Sequence, residues 1–223
     1  MRGMISEVFD SIQGEGLYMG EKQIFVRFYG CNLKCKFCDT KLNSFMEYEP
    51  DELFNEIMMY RDKYHSISFT GGEPLLQSHF LKEILELTHK NDHINYLETN
   101  GTLYHELKNV IDYIHIVAMD IKLPSSTGLD NFWESHRHFM EIASRREVFI
   151  KTIISRSTQA DELRTALRLI REVAKGAILV LQPDSSEDKV YLHDKLETFR
   201  ELARKERVTA CVVEQMHKVI GVK

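Results

Sequence analysis

The sequence predicts an α/β fold, an incomplete TIM-type barrel of about six parallel β/α units. Along its 223 residues, short runs rich in β-branched and aromatic residues alternate with longer amphipathic segments. That order gives a parallel sheet through right-handed crossovers. The strands so counted come to about six or seven, short of the eight that close a full barrel. The chemically unusual residues fall just after those strands, where barrels and open α/β sheets place their active sites.

The first strand is read from Gln23 to Gly30, where QIFVRFYG is β-branched, aromatic and closed by Gly. Pro50 and Asp51 then open a helix with Leu53, Phe54, Ile57, Met58 and Tyr60 at helical spacing. Proline costs little in a first turn, and an acid suits a helix N-terminus. The alternation continues with a strand at Ser66 to Thr70, a helix near His79 to His89, a strand at Ile94 to Glu98 and a helix near Tyr104 to Val110. Next come a strand at Ile114 to Met119, a helix near Asn131 to Ser144, a strand at Val148 to Ile154 and a helix at Gln159 to Ala174. The last elements are a strand at Ala177 to Leu181, a helix at Val190 to Arg204 and a strand at Val208 to Val213. No linker, internal repeat or low-complexity tract interrupts this order, so residues 1–223 are read as one domain.

Hydrophobic residues make up 43% of the chain and charged residues 28%, enough for an ordinary core. A net charge of -5 argues against a surface built to neutralise nucleic-acid phosphates. The basic stretch from Arg200 to Arg207 is interleaved with Glu201 and Glu206, as a solvated helix face would be. There is no apolar run of bilayer length and no signal-like N-terminus, so a cytoplasmic protein without membrane partners is expected. In that compartment thiols stay reduced, and three of the four cysteines lie within one short loop. Metal binding or catalysis is a better reading for them than disulfides.

The loop CNLKCKFC sets Cys31, Cys35 and Cys38 directly after the first strand. Thiolates are soft ligands suited to zinc and to iron-sulfur clusters. Structural zinc wants a fourth ligand at matching spacing, and none is near: His65 belongs to another β/α unit and Cys211 sits in an apolar strand pattern. Three thiolates leave one iron of a four-iron cluster open to a small molecule, which predicts a redox enzyme. The alternatives are a zinc knuckle completed by a distant His, and cysteines that hold no metal.

The spacing Cys31-x3-Cys35-x2-Cys38, with Phe37 before the last cysteine, resembles the signature of radical S-adenosylmethionine (SAM) enzymes. Further motifs narrow the resemblance: SIQGEG at Ser11 to Gly16, RFYGCNLKCKFCDT at Arg27 to Thr40, TGGEPLLQ at Thr70 to Gln77, ETNG at Glu98 to Gly101, DIK at Asp120 to Lys122, QPDS at Gln182 to Ser185 and QMHK at Gln215 to Lys218. Together they are similar to the 7-carboxy-7-deazaguanine synthase family, from about residue 5 to the C-terminus.

The resemblance implies a [4Fe-4S] cluster on Cys31, Cys35 and Cys38, with SAM chelating the open iron. Gly72 and Glu73 would receive the methionine amino group through backbone and carboxylate acceptors, and Phe37, Cys38 and Asp39 would flank the adenine. Asp120, Ile121, Lys122, Gln182, Pro183, Asp184 and Ser185 match positions along the rest of SAM. The implied reaction contracts 6-carboxy-5,6,7,8-tetrahydropterin to 7-carboxy-7-deazaguanine with loss of ammonia, on the route to the tRNA base queuosine. Ile12, Gln13, Gly14 and Glu15 would hold the pterin, Arg27 its carboxylate, and Thr70 would touch it from the second strand. Thr40 matches a Mg2+ ligand, a role consistent with the oxygen preference of that ion. The tail from 214 to 223 would fold over the substrate, bringing His217 and the carboxylate of Lys223 to it.

Implied partners are the small-molecule pterin, a flavodoxin-type or other one-electron reductant, and a second copy of the chain as a homodimer. A glycyl-radical activase shares the cysteine loop but gives QGEG no role, and a non-enzymatic metal module is the remaining alternative.

Overall fold

The computed structural model describes residues 1–38, 40, 42–60 and 62–216. Its N-terminal strands β1 (Gly3–Ile12) and β2 (Lys22–Phe28) pair antiparallel, and β3 (Met46–Tyr48) pairs antiparallel with β1. From β2 onward the sheet is parallel, through β4 (Ser66–Gly71), β5 (Asn95–Thr99), β6 (Ile116–Asp120), β7 (Glu147–Ile154), β8 (Leu179–Pro183) and β9 (Ala210–Val212). The order β3-β1-β2-β4-β5-β6-β7-β8-β9 does not return on itself, so the barrel is incomplete, as the strand count predicts. The crossovers carry α1 (Pro50–Ile57), α2 (Ser78–Lys90), α3 (Tyr104–Val110), α4 (Pro124–Thr127), α5 (Trp133–Ala143), α6 (Ala160–Val173) and α7 (Lys189–Lys205).

Local chemistry explains the helices. Helix α1 starts with Pro50 behind a capping box between Glu49 and Glu52. Helix α6 has Asp161 and Glu162 in its first turn and Arg171 in its last, complementing the helix dipole. Its buried stripe, Leu163, Ala166, Leu167 and Ile170, faces the main core with one side of the sheet. No described helix is long and apolar enough to cross a membrane.

The other side of the sheet has a smaller apolar cluster, Tyr96, Ile116, Ala118, Phe149 and Val180, against which Tyr18 packs. Side chains alternate along a strand, so the residues two positions on from these share their face. They are Glu98, Ala118 and then Asp120, Lys151 and Gln182. The inner face thus changes from apolar to charged toward the strand C-termini, and that change positions the site.

Strands β1 and β3 and the short helix α4 have no counterpart in the sequence reading, which begins its strands at Gln23. The loop between β1 and β2 runs under the sheet, and Gly16 within it has φ +68, with a Cβ there lying 2.7 Å from the Phe149 ring. The last glycine of QGEG is therefore required both by backbone conformation and by close approach.

Candidate active site

An open-mouthed cavity of about 1340 Å3, solvent at its mouth included, lies at the C-terminal ends of the strands. Of the predicted residues its wall contains Ile12, Gln13, Gly14, Glu15, Arg27, Cys31, Cys35, Phe37, Cys38, Thr40, Thr70 and Gly72. It also contains Asp120, Lys122, Gln182, Asp184 and Ser185. Glu73, Ile121 and Pro183 are not part of that wall, and Asp39, His217, Lys218 and Lys223 lie outside the described residues.

The cysteine loop is braced from two sides. Lys36 N donates to Thr127 O at 3.0 Å, tying it to α4, and Glu73 N donates to Gly30 O at 2.9 Å, just before Cys31. Burial pushes the Cys31 and Cys35 thiols up, while the Lys122 ammonium pulls both down. Among the described residues no group of three His, Cys, Asp or Glu side chains is gathered for a single metal ion. A four-iron cluster takes each thiolate at a different iron, so its ligands line a wall rather than meet at a point. Asn100 Nδ2 lies 4.0 Å from Cys31 Sγ, an N–H donor beside a sulfur, and such hydrogen bonds tune the clusters that the sulfur would hold. The trio suits an iron-sulfur cluster.

Glu73 differs from the expectation that its carboxylate faces a ligand. It is fully buried and accepts from Leu75 N at 3.1 Å, Thr99 Oγ1 at 2.9 Å and Asn100 N at 2.8 Å. Burial lifts its carboxyl to about 7 against the pull of those donors. Gly72, in contrast, lines the cavity, and a Cβ there would sit 1.9 Å from Gly30 O.

On the side of the QGEG loop, Gln13 is committed internally. Its amide donates to Gln23 Oε1 at 2.9 Å and Glu98 Oε1 at 2.8 Å and accepts from Glu15 N. Thr70 Oγ1 donates to Glu98 Oε2 at 3.2 Å. Arg27 donates through Nε to Glu7 Oε2 at 3.1 Å, with its guanidinium 5.5 Å from the Phe9 ring centre, so part of its donor fork is held by β1. Glu15 accepts from Lys151 Nζ at 3.0 Å and from Gln215 Nε2 at 2.6 Å. Burial alone would raise this carboxyl, and Lys151, Gln215 and Gln182 bring it down to about 2. Met216 N donates to Gly14 O at 2.9 Å, so the segment after β9 lies against the same loop.

Lys122 donates to Asp120 Oδ2 at 2.7 Å and lies 5.4 Å from the Phe37 ring centre. Lys151 also lines the cavity and has no place in the sequence reading, while Glu98 and Asn100 of ETNG and Gln215 of QMHK line it too, motif residues to which that reading gives no individual role. A charged residue inside the apolar strand EVFIKTII, in phase with Phe149, was the available signal for Lys151.

A family model described as the Radical SAM superfamily matches residues 25–196. The chain is 34% identical to a 7-carboxy-7-deazaguanine synthase of Geobacter sulfurreducens, over 97% of this chain and 96% of that protein. It is 32% identical to the 7-carboxy-7-deazaguanine synthase of Archaeoglobus fulgidus over the full length of both. Among solved structures, QueE from Escherichia coli superimposes with a TM-score of 0.68 at 22% identity, covering 95% of this chain and 94% of that one, which establishes the shared fold. The chain belongs to the 7-carboxy-7-deazaguanine synthase family of the radical SAM superfamily.

Proposed function

We propose that the chain converts 6-carboxy-5,6,7,8-tetrahydropterin to 7-carboxy-7-deazaguanine with release of ammonia, feeding 7-deazapurine biosynthesis such as that of queuosine. The observation that carries this reading is the single cavity shared by the cysteine trio and the Glu15 carboxylate. A radical source and a polar grip for a heterocycle edge thereby meet in one space.

Cys31, Cys35 and Cys38 would hold the [4Fe-4S] cluster; when bound, it supplies the electron that splits SAM into methionine and a 5'-deoxyadenosyl radical able to take hydrogen from the substrate. This chain's own residues hold and orient. Gln13 fixes the loop through Gln23 and Glu98, so that Glu15 projects its carboxylate toward N–H donors of a pterin edge. Arg27, steadied by Glu7, has terminal nitrogens for a substrate carboxylate. Gly72 leaves room for backbone contact with the SAM amino group, and Lys122, Asp120, Phe37, Asp184 and Ser185 line the space for the rest of SAM. Ile12 and Thr70 complete the substrate wall.

Thr40, also on that wall, offers a hydroxyl to Mg2+, whose remaining octahedral positions suit water and the substrate carboxylate. Residues 1–223 act as one domain, and the contact of Gln215 with Glu15 supports a C-terminal segment that covers the substrate. The open sheet edges favour a homodimer that covers them. A flavodoxin-type reductant and a cytoplasmic setting complete the reading.

The test is anaerobic turnover: protein with a loaded cluster, SAM, reductant and Mg2+ should convert the carboxy-tetrahydropterin to the deazaguanine acid. A fully loaded protein that leaves this substrate untouched overturns the proposal.

A further inference from the structure

Lys151 is nearly closed off from solvent, its side chain 7% exposed, yet its ammonium sits in the cavity wall. It lies 3.0 Å from Glu15 Oε2 and 3.8 Å from Asp120 Oδ1. The parallel register explains the second distance, because Lys151 on β7 is directly opposite Asp120 on β6. Asp120 in turn holds Lys122, which faces Phe37 of the cysteine loop. A line of alternating charge therefore crosses the cavity floor from the QGEG loop to the cluster loop.

A buried ammonium is costly unless paired, and a lysine buried alone would shed its proton. Here the charges supporting it come from three elements: Glu15 on the loop after β1, Asp120 on β6 and Glu98 on β5, with Tyr96 of β5 also close. Glu15 meets Lys151 from β7, Gln182 from β8 and Gln215 from beyond β9, with Tyr96 of β5 also near it. Of these partners only Lys151 is cationic. Removing that charge takes from Glu15 the cation that most offsets its burial.

We infer that Lys151 is a positioning residue for the pterin reaction, fixing the orientation and the ionised state of the Glu15 carboxylate that grips the substrate. The inference rests on the pterin reading of the cavity and adds to it a residue that does no chemistry itself. Its chemical signature is a dependence on charge: a residue of similar length without the ammonium should let Glu15 take up a proton near neutral pH, whereas one that only fills space would not alter the pH profile.

The experiment measures kcat and KM for the carboxy-tetrahydropterin from pH 5.5 to 9 with anaerobically loaded wild-type, Lys151→Met, Lys151→Arg, Glu15→Gln and Glu15→Gln/Lys151→Met proteins. Lys151→Met should raise KM on the order of tenfold or more at pH 7.5, with a smaller change in kcat, and bring in an acid limb that wild type lacks. Lys151→Arg should keep the profile flat and recover part of the KM. In the Glu15→Gln background, Lys151→Met should change KM by less than about twofold, since the two residues act as one unit. A loaded Lys151→Met protein with the wild-type KM and profile overturns the inference, as do additive losses in the double variant. Should Lys151→Met fail to load its cluster, Lys151→Arg decides, because an acid limb in a variant that keeps the charge also overturns it. Wild type inactive toward the pterin is a different outcome, which removes the substrate reading rather than the pairing.

Discussion

Asn100 donates its backbone N–H to Glu73 Oε2 at 2.8 Å, joining the loop after β5 to the loop after β4. The other carboxylate oxygen accepts from Leu75 N and Thr99 Oγ1, so Glu73 works as a clamp between the GGEP and ETNG loops. The clamped side chain is itself well placed: Asn100 Oδ1 accepts from Thr102 N at 3.1 Å and Thr102 Oγ1 at 2.6 Å, which turns its NH2 toward Asn32 and Cys31. The loop that lines the cluster wall is thus held through a buried carboxylate that never reaches the cavity.

Glu73→Gln tests the clamp. Whichever way the new amide turns, its NH2 group meets a donor that the carboxylate accepted. The mispairing should cost about 1–3 kcal/mol, which in a chain of this size lowers the melting temperature by roughly 2–4 °C per kcal/mol. Thermal unfolding of the loaded protein gives the first readout, and calorimetric SAM affinity the second. A variant with unchanged melting temperature and unchanged SAM affinity refutes the clamp.

His136 gives a pH-dependent prediction. It is fully buried on α5, with Nε2 3.3 Å from Asn100 O, and burial lowers its pKa to about 4. The unfolded chain therefore binds the extra proton below about pH 6.5 while the native chain does not, so stability is lost as pH falls from there toward 4. At pH 5 the loss from this residue comes to about 2 kcal/mol. His136→Phe should be less stable than wild type at pH 7.5 by roughly 1 kcal/mol, the hydrogen bond to Asn100 O being lost, and equal or more stable at pH 5. Urea midpoints at the two pH values check this, and parallel curves for the two proteins would count against it.

Gly72→Ala should disturb the cluster more than the fold. The added methyl would meet Gly30 O at 1.9 Å and Gly30 C at 2.5 Å, backbone atoms that cannot swing aside. Relief requires moving the residue that precedes Cys31. Iron and sulfide per chain after anaerobic reconstitution should fall by about half or more, a loss consistent with overpacking of about 1–3 kcal/mol at one contact, while the far-ultraviolet circular dichroism keeps its shape. Full loading in the variant would show that the loop yields without cost.

What could be read from the sequence follows burial. Strands β4 to β8 are apolar because helices cover one side and the barrel interior the other, and their runs stand out. Strand β1 does not, since it is half-exposed, antiparallel and broken in register between Ile5 and Glu7, which removes the clean alternation. At three residues β3 is too short to show a period. In the site, the cysteines and the glycine-rich loops are local patterns and were legible. Lys151 acts through Glu15 on the loop after β1 and Asp120 on β6, and the register that sets Lys151 opposite Asp120 is decided by packing, so nothing nearby in the chain announces it.

Thr40 carries the last prediction, on the metal of the proposed reaction. Thr40 lines the cavity, and Mg2+ favours hydroxyl and carboxylate oxygens while keeping water in its other positions. In the proposed reaction, loss of one protein oxygen would weaken the Mg2+ site without abolishing it, because the substrate carboxylate would still chelate. Thr40→Ala should therefore raise the Mg2+ concentration for half-maximal turnover by roughly tenfold, the scale on which single partners alter metal affinity, with Thr40→Ser close to wild type. Reductive cleavage of SAM without the pterin should persist in the alanine variant, since the cysteine trio is intact. Titration of turnover with Mg2+ at saturating pterin, alongside 5'-deoxyadenosine formation without it, separates the outcomes: equal loss of both activities, not restored by added Mg2+, would mean that Thr40 supports the cysteine loop and binds no metal.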